Sequence, residues 1–344
     1  MSRILIASDA WHPQINGVVR TLERLARELP ELGATPILLT PEGYRTVPCP
    51  TYPEIRLTIA APGVIGRRLD SIAPDHVHIA TEGPIGHAVR RWCRKRKRIF
   101  TTSYHTRFPE YLAARLPVPV DWTYAVLRRF HNAGAGCMVA TASLEAELAS
   151  RGFRNLMRWS RGVDADLFRP GRYSTEIADL PRPIHLYVGR VAVEKNIGAF
   201  LDLALPGSKV VVGDGPALDA LRRAHPEVTF LGARVGEALA DIYATSDCFV
   251  FPSRTDTFGV VMLEAIASGV PVAAYPVAGP RDVIGDTGAG VLDEDLGRAV
   301  AAALAIPREH CREVALRHSW RAATQQFLDN VVAAQKGCAA RAMV

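Results

Sequence analysis

The segment SRTDTFGVVMLEAIASG, residues 253–269, carries two carboxylates, Asp256 and Glu264, with Thr257, Phe258, Gly259 and an apolar run from Val260 between them. An apolar strand over 248–251 precedes it and a helix beginning near Gly259 follows, so Asp256 falls in the joining loop. A helix N-terminus there offers N–H groups and a positive dipole end to anions and hydroxyl oxygens. Glu264 falls about one and a half turns into the helix. Taken singly, Asp256 reads equally well as an N-terminal cap and Glu264 as an exposed helix charge. Together they describe an acid pair facing one pocket, suited to the vicinal hydroxyls of a sugar and a ribose.

Other strand ends carry complementary chemistry. In YVGRVAVEKN, residues 187–196, a strand delivers Arg190, Glu194 and Lys195. Arginine grips a phosphate as a fork and lysine as a point charge; the plainer reading is a surface salt-bridge cluster. In WHPQINGVVRTL, Asn16-Gly17 permits a tight turn with positive φ before a helix entered at Val18, and Gly17 leaves its backbone open to a ligand. FTTSYHTRFPEY puts His105 at a strand end with Arg107 and Glu110 near it. Gly213 and Gly215 of VVVGDGPAL form a strand-to-helix turn that reads as structural, with a second reading as nucleotide lining. Backbone groups from Gly232 to Val235 are candidates for base recognition, and His12 and Glu82 also lie in strand-end loops. Neither a GxGxxG fingerprint nor a Walker A sequence occurs.

The elements that must position these residues are short apolar strands alternating with amphipathic helices. Strands are expected over 4–7, 36–40, 76–80, 99–104 and 137–141, then, after a linker rich in Pro and Gly around 162–185, over 184–188, 209–212, 228–231, 248–251 and 270–274. This is the signature of α/β, doubly wound parallel sheets. At 344 residues two domains are expected, with the ligand in the cleft between them, at the carboxyl ends of the strands. A final helix over 320–334 is not assignable to either domain by pattern.

Composition narrows the class. Hydrophobic residues at 48% and charged residues at 22% describe a globular chain. No apolar run is long enough to span a bilayer and the N-terminus lacks a signal peptide, so a cytoplasmic protein is expected. The six cysteines include no CxxC pair, which argues against a zinc site or a disulfide framework. Much of the net charge of +6 lies in RRWCRKRKR, residues 90–98, which suits an anionic membrane, a nucleic acid or plain solvation. Because a strand follows it, the run reads as a surface patch on a packed helix.

In chain order, Asn16-Gly17-Val18, SYHTRF, RGVDADLF, GRVAVEKN, GDGP and TDTFGVVMLEAIASG resemble the retaining glycosyltransferases of the GT-B fold, family four or group one, over nearly the whole chain. NGVVRT and SRTDTFG are similar to the branch of α-mannosyl- and glycolipid glycosyltransferases that use nucleotide sugars. The resemblance implies a Rossmann-like acceptor-side domain over 1–165, a Rossmann-like donor-binding domain over 166–319 and a helix over 320–344 that crosses back to the first. It places Arg190 and Lys195 on the donor's diphosphate and Glu264 on the ribose. Asp256, with Thr257, the amides of Phe258 and Gly259, and Val260, would position the transferred sugar. Asn16, Gly17 and Val18 would approach the diphosphate from the other side, with His105 near the sugar. The donor is a nucleotide diphosphate sugar, GDP-mannose ahead of a UDP-sugar, acting as co-substrate with no other cofactor and no metal. The acceptor is a lipid or glycan, and Arg90 to Arg98 would contact an anionic membrane rather than nucleic acid. One departure stands out: the motif's first acid is commonly Glu, and Asp256 is shorter by one methylene, about 1.5 Å. The alternatives are a nucleotide-sugar 2-epimerase of the same fold and a nucleotide-sugar-binding protein without turnover.

Overall fold

The computed structural model describes residues 1–13, 16–49, 52–113 and 116–341. The chain forms two compact units, one built from residues 1–160 with the final helix, the other from residues 161–319.

In unit one, β1 (Ser2–Ala7) pairs with β2 (Ala34–Leu39), and an antiparallel hairpin of β3 (Arg45–Cys49) and β4 (Tyr52–Ile59) follows. Next come β5 (His76–Ile79), β6 (Thr101–Ser103), β7 (Gly136–Val139) and β8 (Leu156–Arg158). The main sheet is parallel throughout, in the order β2-β1-β5-β6-β7-β8. Successive residues of a strand point to opposite faces, and both faces are filled. Leu5 and Ala7 join Ile85, Val89, Trp92 and Phe130 on one side. Ile4 and Ile6 join Leu22, Leu25, Trp159 and Phe327 on the other. Full burial of each large side chain contributes roughly 1.5–3 kcal/mol, which is why these strands read as unbroken apolar runs.

The helix Trp320–Arg341, longer than expected from its pattern, supplies Phe327 and Val331 to this core. Trp159 Nε1 donates to Ala323 O at 3.0 Å, and Asn330 Nδ2 donates to Arg158 O at 2.7 Å.

Unit two repeats the plan. Its strands are β9 (Ile184–Val188), β10 (Ser208–Val212), β11 (Thr229–Gly232), β12 (Cys248–Phe251), β13 (Val272–Ala274) and β14 (Gly290–Leu292). They run parallel in the order β11-β10-β9-β12-β13-β14. The segment read as a linker is instead part of this unit's packing, with Val163, Phe168 and Ile177 buried.

Each sheet grows to one side of its first strand and then resumes on the other, so each has a topological switch point, β1/β5 in unit one and β9/β12 in unit two. Ligands of open α/β sheets bind outside the strand carboxyl ends at such points.

Candidate functional site

In unit two the two switch-point loops are stitched together. Past β9, Tyr187 Oη donates to Arg190 O at 2.8 Å, and the turn Val193–Lys195 ends at Asn196, which adopts the left-handed region at φ 52°. Asn tolerates that conformation better than most residues. Three hydrogen bonds then cross to the loop after β12: Asn196 Nδ2 to Pro252 O at 3.1 Å, Thr255 Oγ1 to Glu194 O at 3.1 Å, and Lys195 Nζ to Asp256 Oδ1 at 2.5 Å. Lys195 and Asp256 are each 18% exposed. The other oxygen, Asp256 Oδ2, is buried and has no hydrogen-bond partner among the described residues. Such an atom is costly to leave dry, and a hydroxyl donor would satisfy it.

Asp256 is not the helix cap; that position is Gly259, at φ 88°, ψ 67°. Only glycine adopts this region freely, and a Cβ here would lie 2.8 Å from Met262 Cε and 3.1 Å from Phe251 Cζ. Gly259, having no side chain, leaves the N-terminal N–H groups of the helix Val260–Ala267 without a cap of its own. Thr257 and Val260 are half-buried and Phe258 is buried. Glu264 is no exposed helix charge: it is 4% exposed, and Tyr243 Oη donates to its Oε2 at 3.2 Å.

Gly213 and Gly215 have a packing reason. A Cβ at Gly213 would lie 1.8 Å from Gly189 O, and one at Gly215 would lie 2.4 Å from Val191 O, so both allow the loop after β10 to lie on the loop after β9. Gly232 O accepts from Gly213 N at 2.9 Å. Val235 precedes the helix Gly236–Thr245 and is 54% exposed.

In unit one the Asn16-Gly17 expectation needs correction. Asn16 is the N-cap of the helix Gly17–Glu28, its Oδ1 accepting from Val18 N and Val19 N at 3.0 Å each, and Gly17 opens the helix without positive φ. A Cβ on Gly17 would meet nothing within 4 Å, so the protein's own packing does not require glycine there. His105 is half-buried, edge-on to Trp159 at 5.7 Å. Its neighbours serve the fold: Arg107 binds Glu147 through both terminal nitrogens at 3.0 and 2.5 Å, and Glu110 accepts from Tyr124 Oη at 2.6 Å. His12 pairs with Glu23 at 2.7 Å.

The sequence reading passed over Asp9 and His131. Asp9 follows β1 and caps the helix Pro84–Lys95, accepting from Ile85 N at 2.8 Å and Gly86 N at 3.2 Å. Burial pushes its carboxyl up to about 6, against those amides and Thr81, which favour the charged form. The only local sign was an acid directly after an apolar strand, facing a glycine: a Cβ at Gly83 would lie 2.4 Å from Asp9 Cγ. His131, wholly buried, binds Glu82 and Thr102.

The basic run divides by use. Arg90 donates to Phe130 O and Arg129 O, Arg96 binds Asp70, and Arg98 donates to Pro74 O. Arg91, Arg94 and Lys95 are exposed with no ion-pair partner among the described residues, and with Pro84, His87 and Ala60 they line a groove of about 690 Å³. In the nearby helix Val120–His131, Tyr124, Leu127 and Phe130 are core, whereas Trp122, at 65% exposure, is at the surface.

Unit two thus joins a cation and an acid across the switch point of an open parallel sheet, the place where such sheets bind ligands. Residues 15–167 match the model described as Glycosyltransferase Family 4, and residues 182–306 match that described as Glycosyl transferases group 1. A GDP-mannose-dependent α-mannosyltransferase of Mycobacterium tuberculosis is 30% identical over 318 residues, spanning 84% of this chain and 83% of that one. The sulfoquinovosyl transferase of Arabidopsis thaliana is 28% identical over 359 residues, 91% of this chain and 70% of that protein. Among solved structures, the Anabaena protein HepE, crystallised with UDP and glucose, superposes with a TM-score of 0.73 over 97% of this chain and 100% of that one, at 14% identity. The chain therefore belongs to the group 1, family 4 glycosyltransferases, and its fold is GT-B.

Proposed function

We propose that this protein transfers a hexose, mannose, from GDP-mannose to a lipid or glycan acceptor with retention of anomeric configuration and without a metal. The observation that carries the reading is the Lys195–Asp256 pair across the β9/β12 switch point, with Asp256 Oδ2 left for a sugar hydroxyl beside the N-terminus of the helix Val260–Ala267. Similarity to a GDP-mannose-dependent relative over 84% of the chain supports the choice of donor. Arg190 and Lys195 hold the diphosphate, Glu264 takes the ribose hydroxyls, and Asp256 with the amides of Phe258 and Gly259 orients the hexose. As the bond from the anomeric carbon to the diphosphate oxygen breaks, negative charge builds on GDP; the two cations and the helix N–H groups stabilise it. The acceptor oxygen bonds the anomeric carbon on the face GDP leaves, and its proton ends on a diphosphate oxygen.

Thermal denaturation with GDP-mannose, GDP, UDP-glucose and UDP tests the donor. Saturating GDP-mannose should stabilise the protein by about 2.7 kcal/mol at a hundredfold excess over its Kd, and UDP compounds should do little. A panel with no shift removes the reading, whereas product analysis showing an epimer formed without acceptor turns it into the epimerase.

In this reading the enzyme works at the cytoplasmic face of an anionic membrane. Arg91, Arg94, Lys95 and Lys97 are the exposed cations left to meet headgroups, each contributing up to about 1 kcal/mol near the surface. Co-sedimentation with phosphatidylglycerol vesicles should be salt-sensitive and lost in Arg91→Glu/Arg94→Glu; equal binding to neutral vesicles counts against the contact.

A further inference from the structure

Unit one has a switch point of its own, which the roles given to Arg190, Lys195, Asp256 and Glu264 leave unused. At the β1/β5 junction Asp9 closes the floor: its N–H donates to Thr81 Oγ1 at 2.7 Å, Thr81 donates back to Oδ2 at 3.1 Å, and both carboxylate oxygens take amides of the following helix. That carboxylate is committed to the scaffold.

Glu82, beside it, is only half committed. Its Oε1 accepts from His131 Nε2 at 2.9 Å, its Oε2 has no hydrogen-bond partner among the described residues, and its side chain is 26% exposed. Behind it the His131 side chain is completely buried, with Nδ1 2.9 Å from Thr102 Oγ1, whose hydroxyl donates to Gly136 O at 3.4 Å. Facing a carboxylate oxygen, Nε2 donates to it. Burial alone pulls this histidine down, but the Cys137 sulfur and the Glu82 carboxylate outweigh it and hold it up at about 10.

A desolvated ion pair typically returns no more stability than apolar residues would, so stability alone is a poor reason for this one. What it does supply is a carboxylate of fixed orientation at the place where open sheets bind ligands. We infer that this junction binds a neutral, hydroxyl-bearing part of the acceptor, gripped by Glu82 Oε2, with His131 as the positioning residue behind it. The inference rests on unit one being the acceptor side of the transferase proposed above. A carboxylate at that point takes a polyol or sugar ring and repels a phosphate.

The test uses the full chain with GDP-mannose as donor and glycerol, myo-inositol and methyl α-D-mannopyranoside as acceptor probes. In Glu82→Gln and Glu82→Ala the acceptor KM should rise about tenfold or more, while kcat at saturating acceptor stays within about threefold and the thermal shift with GDP is unchanged. His131→Gln, whose amide can still donate to Glu82, should keep more acceptor affinity than His131→Ala. Unchanged acceptor KM in both Glu82 variants overturns the assignment, as does a wild-type enzyme that hydrolyses GDP-mannose yet glycosylates none of the three probes. Wild-type protein that binds no nucleotide sugar removes the transferase reading itself, and this inference with it.

Discussion

Replacing Lys195 with alanine is expected to lower kcat/KM for transfer by about a hundredfold to a thousandfold, the effect of deleting one preorganised charge at a site where negative charge develops. Stability should fall modestly. The Lys195–Asp256 pair is mostly buried, 18% exposed on each side, so breaking it costs more than the roughly 0–1 kcal/mol of an exposed pair and less than the roughly 3–5 kcal/mol of a fully buried one. Asp256→Ala separates the two roles: it should retain the thermal shift with GDP while losing the additional shift given by the hexose. Measured rates near wild type in Lys195→Ala would take the lysine out of the mechanism, and a collapse of Tm would mean that the pair serves the fold.

This prediction depends on a contact no local pattern contained. Lys195 and Asp256 are 61 positions apart, and the sequence offered each only as the end of its own strand. What made the frame readable was burial on both faces: parallel core strands are continuous apolar runs, so 184–188 and 248–251 were placed to the residue. Edge elements gave no such signal. β8 and β14 are three residues each, and the β3–β4 hairpin carries Pro48 and Pro53, which argue against a strand in any local reading.

Side-chain roles were legible only in part, for an identifiable reason. Asn16-Gly17 reads as a turn because both residues favour positive φ, yet the amides of Val18 and Val19 need an acceptor and Asn16 supplies it. The basic run reads as one patch. Nothing local reveals that Arg90 is spent on the carbonyls that end the helix Val120–His131, some 40 residues away. Glu264 reads either as exposed or as a ligand group until Tyr243, 21 residues earlier, is seen packed against it. Glu82 was visible as a strand-end acid, but His131 stands in an amphipathic helix next to Phe130 and looks like any core histidine.

The second large effect concerns Gly259, where the backbone rather than a functional group is the fragile part. Alanine in its left-handed conformation costs about 1–2 kcal/mol, and the added methyl would press on Met262 Cε at 2.8 Å and the Phe251 ring at 3.1 Å. The methionine end can swing aside; the ring belongs to β12 and cannot move without disturbing the core beneath the site. Relief must therefore come from the loop, which is the segment that carries Asp256 and the amides of Phe258 and Gly259. A shift of about 1 Å in reacting groups costs on the order of a hundredfold in rate, so Gly259→Ala should lose both stability, by roughly 1–3 kcal/mol, and nearly all transfer. Its urea midpoint and its turnover should fall together, whereas in Lys195→Ala the loss of turnover far exceeds the fall in midpoint. An active Gly259→Ala enzyme of unchanged midpoint would mean that the loop holds Asp256 in place without the left-handed turn, and the link drawn between this glycine and the sugar contact would be lost.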